Sequence, residues 1–206
     1  MKRISLLLFL VVAISISYTA CTRGEKKPRE YTDAEKQLLE IGKKASMASF
    51  QALSSELKQA MSRGGIEEAL SYCKMNANPI TDSLSKEFGF EISRTAIKLR
   101  NPENRGDKID ELIMSTMENR IAARMPEEPV LINTNNDKDI RVYYPIMIKP
   151  MCKSCHGIVS KEITEENYQT ILNYYPEDQA VNFFDGSLRG VWKLVFPREQ
   201  LEKLKG

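Results

Sequence analysis

An α+β fold is what this sequence predicts, and three observations carry that reading. Up to about residue 89 the apolar residues recur at helical spacings of three and four. Beyond that point β-branched runs and strict alternation appear, with helical stretches between them. No internal repeat or low-complexity tract organises the chain into regular βαβ units or a solenoid. Bulk properties agree with one folded unit: 206 residues, 42% hydrophobic and 28% charged, an ordinary globular balance. The formal charge of +2 comes from 30 basic and 28 acidic residues. Both surplus charges are Lys2 and Arg3, in an N-terminal segment that has no acid. A mature chain without it would be neutral, which excludes a nucleic-acid binder or a polybasic membrane protein.

Residues 1–20 read as an export signal, with Lys2 and Arg3 ahead of an apolar run from Ile4 to Ile16. That run is short for a spanning helix, which needs about 20 apolar residues. Small residues then lead to Cys21, a pattern that resembles the bacterial lipoprotein signal, in which the cysteine is acylated and becomes the new N-terminus. An ordinary signal peptide and an uncleaved anchor are the alternatives. All three send the rest of the chain out of the cytoplasm, and lipidation places it on the periplasmic side of a bacterial membrane. Residues 21–31 form a charged, lipidated tether, and 32–206 the folded domain.

Thr32 and Glu35 form a capping-box pattern. Leu38, Ile41, Ala45, Ala48 and Ala52 then make one apolar stripe on a long helix that Gly64-Gly65 ends. A second helix runs from about Ile66 to Glu87, where Pro79 is expected to kink or divide it. Gly89 stops it. Phe90 to Leu99 reads as a strand and Arg100 to Gly106 as a polar turn. Asp107 caps a helix to about Met125, with Ile109, Leu112, Ile113, Met117 and Ile121 on one side. Ile140, Val142, Tyr144, Ile146 and Ile148 alternate along a clear strand, although Pro145 suits an edge or a bulge. Tyr143 and Tyr144 therefore face opposite ways, and at most one can line a given pocket. Glu165 to Tyr175 is a short helix, and Gly190 to Phe196 a last strand onto which Trp192 packs. A basic turn follows Pro197. Met47, Met61, Met75 and Met114 are expected as core fillers rather than ligands.

The strongest chemical signal is Cys152-Lys153-Ser154-Cys155-His156. Cys-x-x-Cys-His is the attachment sequence for c-type haem. Its two thiols add across the vinyl groups, and the adjacent His turns its imidazole onto the iron. A structural disulfide leaves His156 unexplained, and a zinc site lacks a second Cys/His pair. An exported thiol-disulfide oxidoreductase using Cys152 and Cys155 is the main alternative, because the strand ahead of Cys152 resembles the one that precedes such motifs. Haem is attached after export, so the export signal favours the first reading. With one His in the chain, the second axial ligand must be a Met, Cys73, a Lys or nothing. Cys73 lies on the second helix, with Ala77, Ile80 and Leu84 on the same face.

Further motifs stand around these residues in order: Cys-x-x-x-Ala-x-x-Ile at 73–80, Gly89-Phe90-Glu91-Ile92-Ser93-Arg94-Thr95, Lys98-Leu99-Arg100-Asn101-Pro102-Glu103-Asn104, the haem motif, and Leu188-Arg189-Gly190. Together they resemble the family of exported or membrane-tethered single-haem domains, over roughly residues 33–197. The resemblance implies a PAS-like antiparallel sheet with flanking helices, one covalent haem c, His156 as proximal ligand and Cys73 as distal ligand. Arg94 and Arg100 are candidates to hold the haem propionates, since guanidinium pairs carboxylates bidentately. The expected role is electron transfer, or sensing of redox state or a small ligand, with an unidentified periplasmic redox partner or signalling protein. Catalysis is not expected, because a peroxidase-type site needs a further acid–base residue, usually His.

Overall fold

The computed structural model describes residues 29–134 and 138–205. The export run, Cys21 and the start of the tether lie outside the described residues. The first element, α1, spans Asp33–Phe88 and opens with the expected capping box. Glu35 N donates to Thr32 Oγ1 at 3.3 Å, and Thr32 N donates to Glu35 Oε2 at 2.9 Å. Gly64 (φ −151°) and Gly65 (φ +65°) leave the helical region and break α1 into two rods. Only glycine takes the second of these conformations at no steric cost. Pro79 removes one hydrogen-bond donor, yet helical dihedrals continue through it, so it does not divide the helix.

The remaining elements are β1 (Glu91–Thr95), α2 (Lys108–Ala122), β2 (Val130–Asn133), β3 (Asp139–Met147), α3 (Lys153–His156), α4 (Glu165–Tyr174), β4 (Leu188–Pro197) and α5 (Arg198–Lys205). The strands form one antiparallel sheet in the order β1-β4-β3-β2. This is the α+β arrangement the sequence implied, an antiparallel sheet with flanking helices and a long N-terminal helix. On one face Ile140, Val142, Tyr144, Trp192, Leu194 and Phe196 pack against Leu38 and Ala45 of α1 and Leu201 of α5. On the other, Tyr143 and Val191 pack against Met114 and Met117 of α2. Gly42 lets α1 approach the sheet closely, since a Cβ there would stand 2.9 Å from Tyr144 Oη.

Several elements differ from the sequence reading. β2 went unrecognised because four residues are too few to show a period. The segment after Pro197 is helix α5, whose apolar content is only Leu201 and Leu204. β3 is an inner strand only from Ile140 to Tyr143; β2 ends there, so Pro145 sits on an edge as expected, and a register shift follows between Ile146 and Met147. Met114 is a core filler, but Met47 and Met75 are exposed, as is Leu112. Among the described residues no helix is long and apolar enough to cross a membrane.

Candidate functional site

Beyond β3 the chain turns sharply. Pro150 starts a 3-10 turn, Pro150–Cys152, and Cys152 N donates to Lys149 O at 2.8 Å. The single helical turn α3 then carries Cys155 and His156, and Gly157 N closes it on Lys153 O at 2.9 Å. Gly157 is required here by space rather than by dihedral. An added Cβ would stand 2.5 Å from Lys153 O and 2.8 Å from Glu162. Glu162 braces the turn by accepting from Ile158 N at 2.7 Å and pairing with Lys153 at 3.0 Å.

The loop that leads from α4 into β4 fixes the imidazole. His156 Nδ1 lies 2.7 Å from Ala180 O. A carbonyl only accepts, so the proton sits on Nδ1 and the lone pair is left on Nε2. Burial, with the cations Arg189 and Arg100 nearby, pushes the His156 pKa well below its ordinary value despite the Ala180 bond. The ring is therefore neutral at pH 7 and fit to ligate a metal. Arg100 secures the arrangement from behind. It grips Asp178 through Nε and Nη2 at 3.0 and 3.1 Å, and Nη2 also donates to Cys155 O at 2.6 Å and Ala180 O at 3.3 Å. Asp178 in turn accepts from Ala180 N at 3.0 Å. One guanidinium thus ties together the motif cysteine and the acceptor of the motif histidine.

These groups border a cavity of about 720 Å³, inside the range of roughly 300–1,000 Å³ typical of cofactor sites. Cys73, Arg94, Arg100, Cys152, Cys155 and His156 all line it, so the fold brings together every candidate from the described residues. Its walls are largely apolar. Leu53, Leu57 and Met61 come from the first rod of α1, Leu70 and Ala77 from the second, and Ile146 and Trp192 from the sheet. Neither Tyr143 nor Tyr144 lines it. Tyr143 donates to Asp110 and Tyr144 to Leu39 O. Burial raises the pKa of Cys73, with Arg94 and Arg100 opposing. Burial likewise raises that of Cys155. No parallel βαβ unit surrounds the motif among the described residues, which weighs against the oxidoreductase reading.

Arg94 stacks 5.7 Å over the Trp192 ring, and burial lowers its pKa. Arg100 is a different case from the expectation, because Nε and Nη2 are already committed to Asp178 and two carbonyls. Tyr175, Asp178, Ala180 and Arg189 were not singled out from sequence as site residues. Tyr175 lines the cavity, and burial pushes its pKa up to about 12. The signal for Arg189 was its place in Leu188-Arg189-Gly190. For Ala180, which acts through its backbone, no signal existed. The donor set of two adjacent thiols, a neutral imidazole with Nε2 available, a further thiol and unpaired guanidinium fits a covalently attached haem.

The Tll0287-like family (Tll0287) matches residues 25–197. A solved structure described as "Crystal structure of the cyanobacterial heme-protein Tll0287" is similar to the chain with a TM-score of 0.55 at 18% identity. It covers 82% of this chain and 98% of its own. At that identity the likeness is one of fold. No curated protein matches the chain.

Proposed function

The chain belongs to the Tll0287-like family, and from that premise we propose that it is a monohaem c-type cytochrome with His156 and Cys73 as iron ligands. It acts in electron transfer or redox sensing rather than catalysis. The observation that carries this reading is the convergence of Cys152, Cys155, His156 and Cys73 on one cavity of cofactor size. When bound, haem supplies a one-electron iron couple. The protein's residues supply the rest. Cys152 and Cys155 offer the two sulfurs for attachment, held on successive turns that Arg100 and Lys149 fix. His156 is locked in the tautomer that presents Nε2. Cys73 sits where burial disfavours its thiolate, so the thiolate forms only against a compensating cation, such as ferric iron. An anionic sulfur ligand favours the ferric state, so the midpoint potential lies below that of a Met/His cytochrome. The apolar walls limit water at the iron.

Export and lipidation at Cys21 belong to the same reading. They rest on residues 1–21, and they put the chain in the compartment where thioether attachment occurs. Mass spectrometry of the mature chain, expressed with a haem-attachment system, tests the proposal. One haem mass per chain is expected, and replacing both Cys152 and Cys155 with Ala should abolish covalent retention. A mature wild-type chain without the haem mass would refute it.

A further inference from the structure

Two of the guanidiniums that border the cavity have no protein anion to match them among the described residues. Arg189 lies at the start of β4, facing the cavity beside Arg94 of β1 and close to Arg100. Its Nη1 donates to Lys98 O at 3.0 Å and its guanidinium lies 5.6 Å from the Phe183 centroid. Its Nε is buried with no hydrogen-bond partner. Neither Arg189 nor Arg94 makes an ion pair among the described residues, because the carboxylate of this region, Asp178, is held bidentately by Arg100.

The charge balance is specific. Around the cavity Arg94, Arg100 and Arg189 face one carboxylate, Asp178, and Lys98 donates to Val181 O, while the exposed Glu118 shares only a separate small groove with Lys98 and Arg189. The remaining titratable neighbours, Cys73, Cys152, His156 and Tyr175, bring no negative charge while protonated or neutral. Two guanidinium charges are thus left over on the largely apolar wall of the cavity, half-buried, where an unpaired charge is disfavoured. Burial and the neighbouring Arg100 charge depress the Arg189 pKa, which is the same imbalance seen from the proton's side. A haem carries two propionates. Each is a planar carboxylate of the kind a guanidinium binds bidentately.

We propose that Arg189, together with Arg94, binds the haem propionates, and that Arg100 instead positions the motif through Asp178 and the Cys155 and Ala180 carbonyls. The inference rests on the haem reading above and assigns the anion-binding end of that pocket.

The test uses the full-length holoprotein and reads two properties, the propionate bending band in the resonance Raman spectrum and the midpoint potential. Arg189→Gln should keep the haem mass, shift the bending band and lower the potential, since loss of a nearby cation favours ferric iron. Arg189→Lys should return the potential towards wild type while the band stays shifted, because charge is restored without the fork. Arg100→Gln, which releases the Cys155 and Ala180 carbonyls, should instead lower the fraction of chains that carry the haem mass, an effect Arg189→Gln does not share. An Arg189→Gln protein with unchanged band and potential overturns the proposal, as does an Arg100→Gln protein that keeps the full haem mass and shows the same band shift as Arg189→Gln. If Arg189→Gln fails to fold, the band in Arg189→Lys decides. Wild-type protein lacking haem overturns this inference and the haem reading together. Haem present with a silent Arg189 overturns this inference alone.

Discussion

Two clusters of buried charge lie on this sheet, and they are built to different ends. Against α2, Asp110 has a fully buried side chain and accepts from Tyr143 Oη at 2.7 Å, Lys193 Nζ at 2.9 Å and Asp107 N at 2.9 Å. Arg141 reaches Asp107 at 2.6 Å and Asp110 at 3.4 Å. Two carboxylates meet two cations, and the cluster closes on itself. Around the cavity three guanidiniums meet one carboxylate. An orphan Nε does not by itself separate the two, since Arg141 has one as well. The charge does. Although burial opposes it, the bond to Asp107 raises the Arg141 pKa, whereas Arg189 is depressed. A network that serves only the fold can be neutral within the chain, while a binding site keeps charge over for its ligand.

The comparison breaks most sharply at Cys73. If the open cluster surrounds an iron, Cys73→Ala should leave haem attached but convert the ferric spectrum from low spin to high spin and raise the potential. An unchanged ferric spectrum would transfer the distal role to another residue that borders the cavity. Next comes Arg100→Ala, which strands the fully buried Asp178 carboxylate. Removing one partner of such a pair costs about 3–5 kcal/mol, measurable by denaturant unfolding of the holoprotein. A loss below about 1 kcal/mol would mean the clamp is no more than a surface pair. The smallest effect is expected at Asp110→Asn. Lys193 and Arg141 remain partly exposed and can rehydrate, so the loss should be about 1–3 kcal/mol, with the potential unmoved. A shift in potential there would show that the two clusters are not independent.

What could be read from sequence divides along the same line. The Cys-x-x-Cys-His motif, the capping box at Thr32, the helix cap at Asp107 and the glycine break in α1 are local patterns, and they were legible. Cys73 stood among several candidate ligands until the ordered motifs around it were taken together, and what the fold adds is its place on the cavity wall. The Arg100–Asp178 clamp joins residues 78 apart, and no periodicity or spacing announces such a pairing. Arg94, Arg100 and Arg189 look alike in sequence. Their roles diverge only once the fold shows which of them has a carboxylate within reach. β2 and α5 were missed for a simpler reason. One is four residues long and the other almost wholly charged, so tertiary packing rather than local pattern decides them.

The space at Gly157 bears on how this chain can change over generations. Between the two cysteines the exposed Ser154 can vary, and Lys153 can vary at the cost of its 3.0 Å pair with Glu162. Gly157 has no such latitude, although it contributes no functional group. Any larger residue would push against the carbonyl that starts the helical turn and against Glu162, which lies five residues on. A lineage that lost this glycine would have to rebuild both contacts at once to keep His156 aimed. The sterically constrained unit is therefore six residues long, Cys152 to Gly157, one more than the Cys-x-x-Cys-His pattern itself.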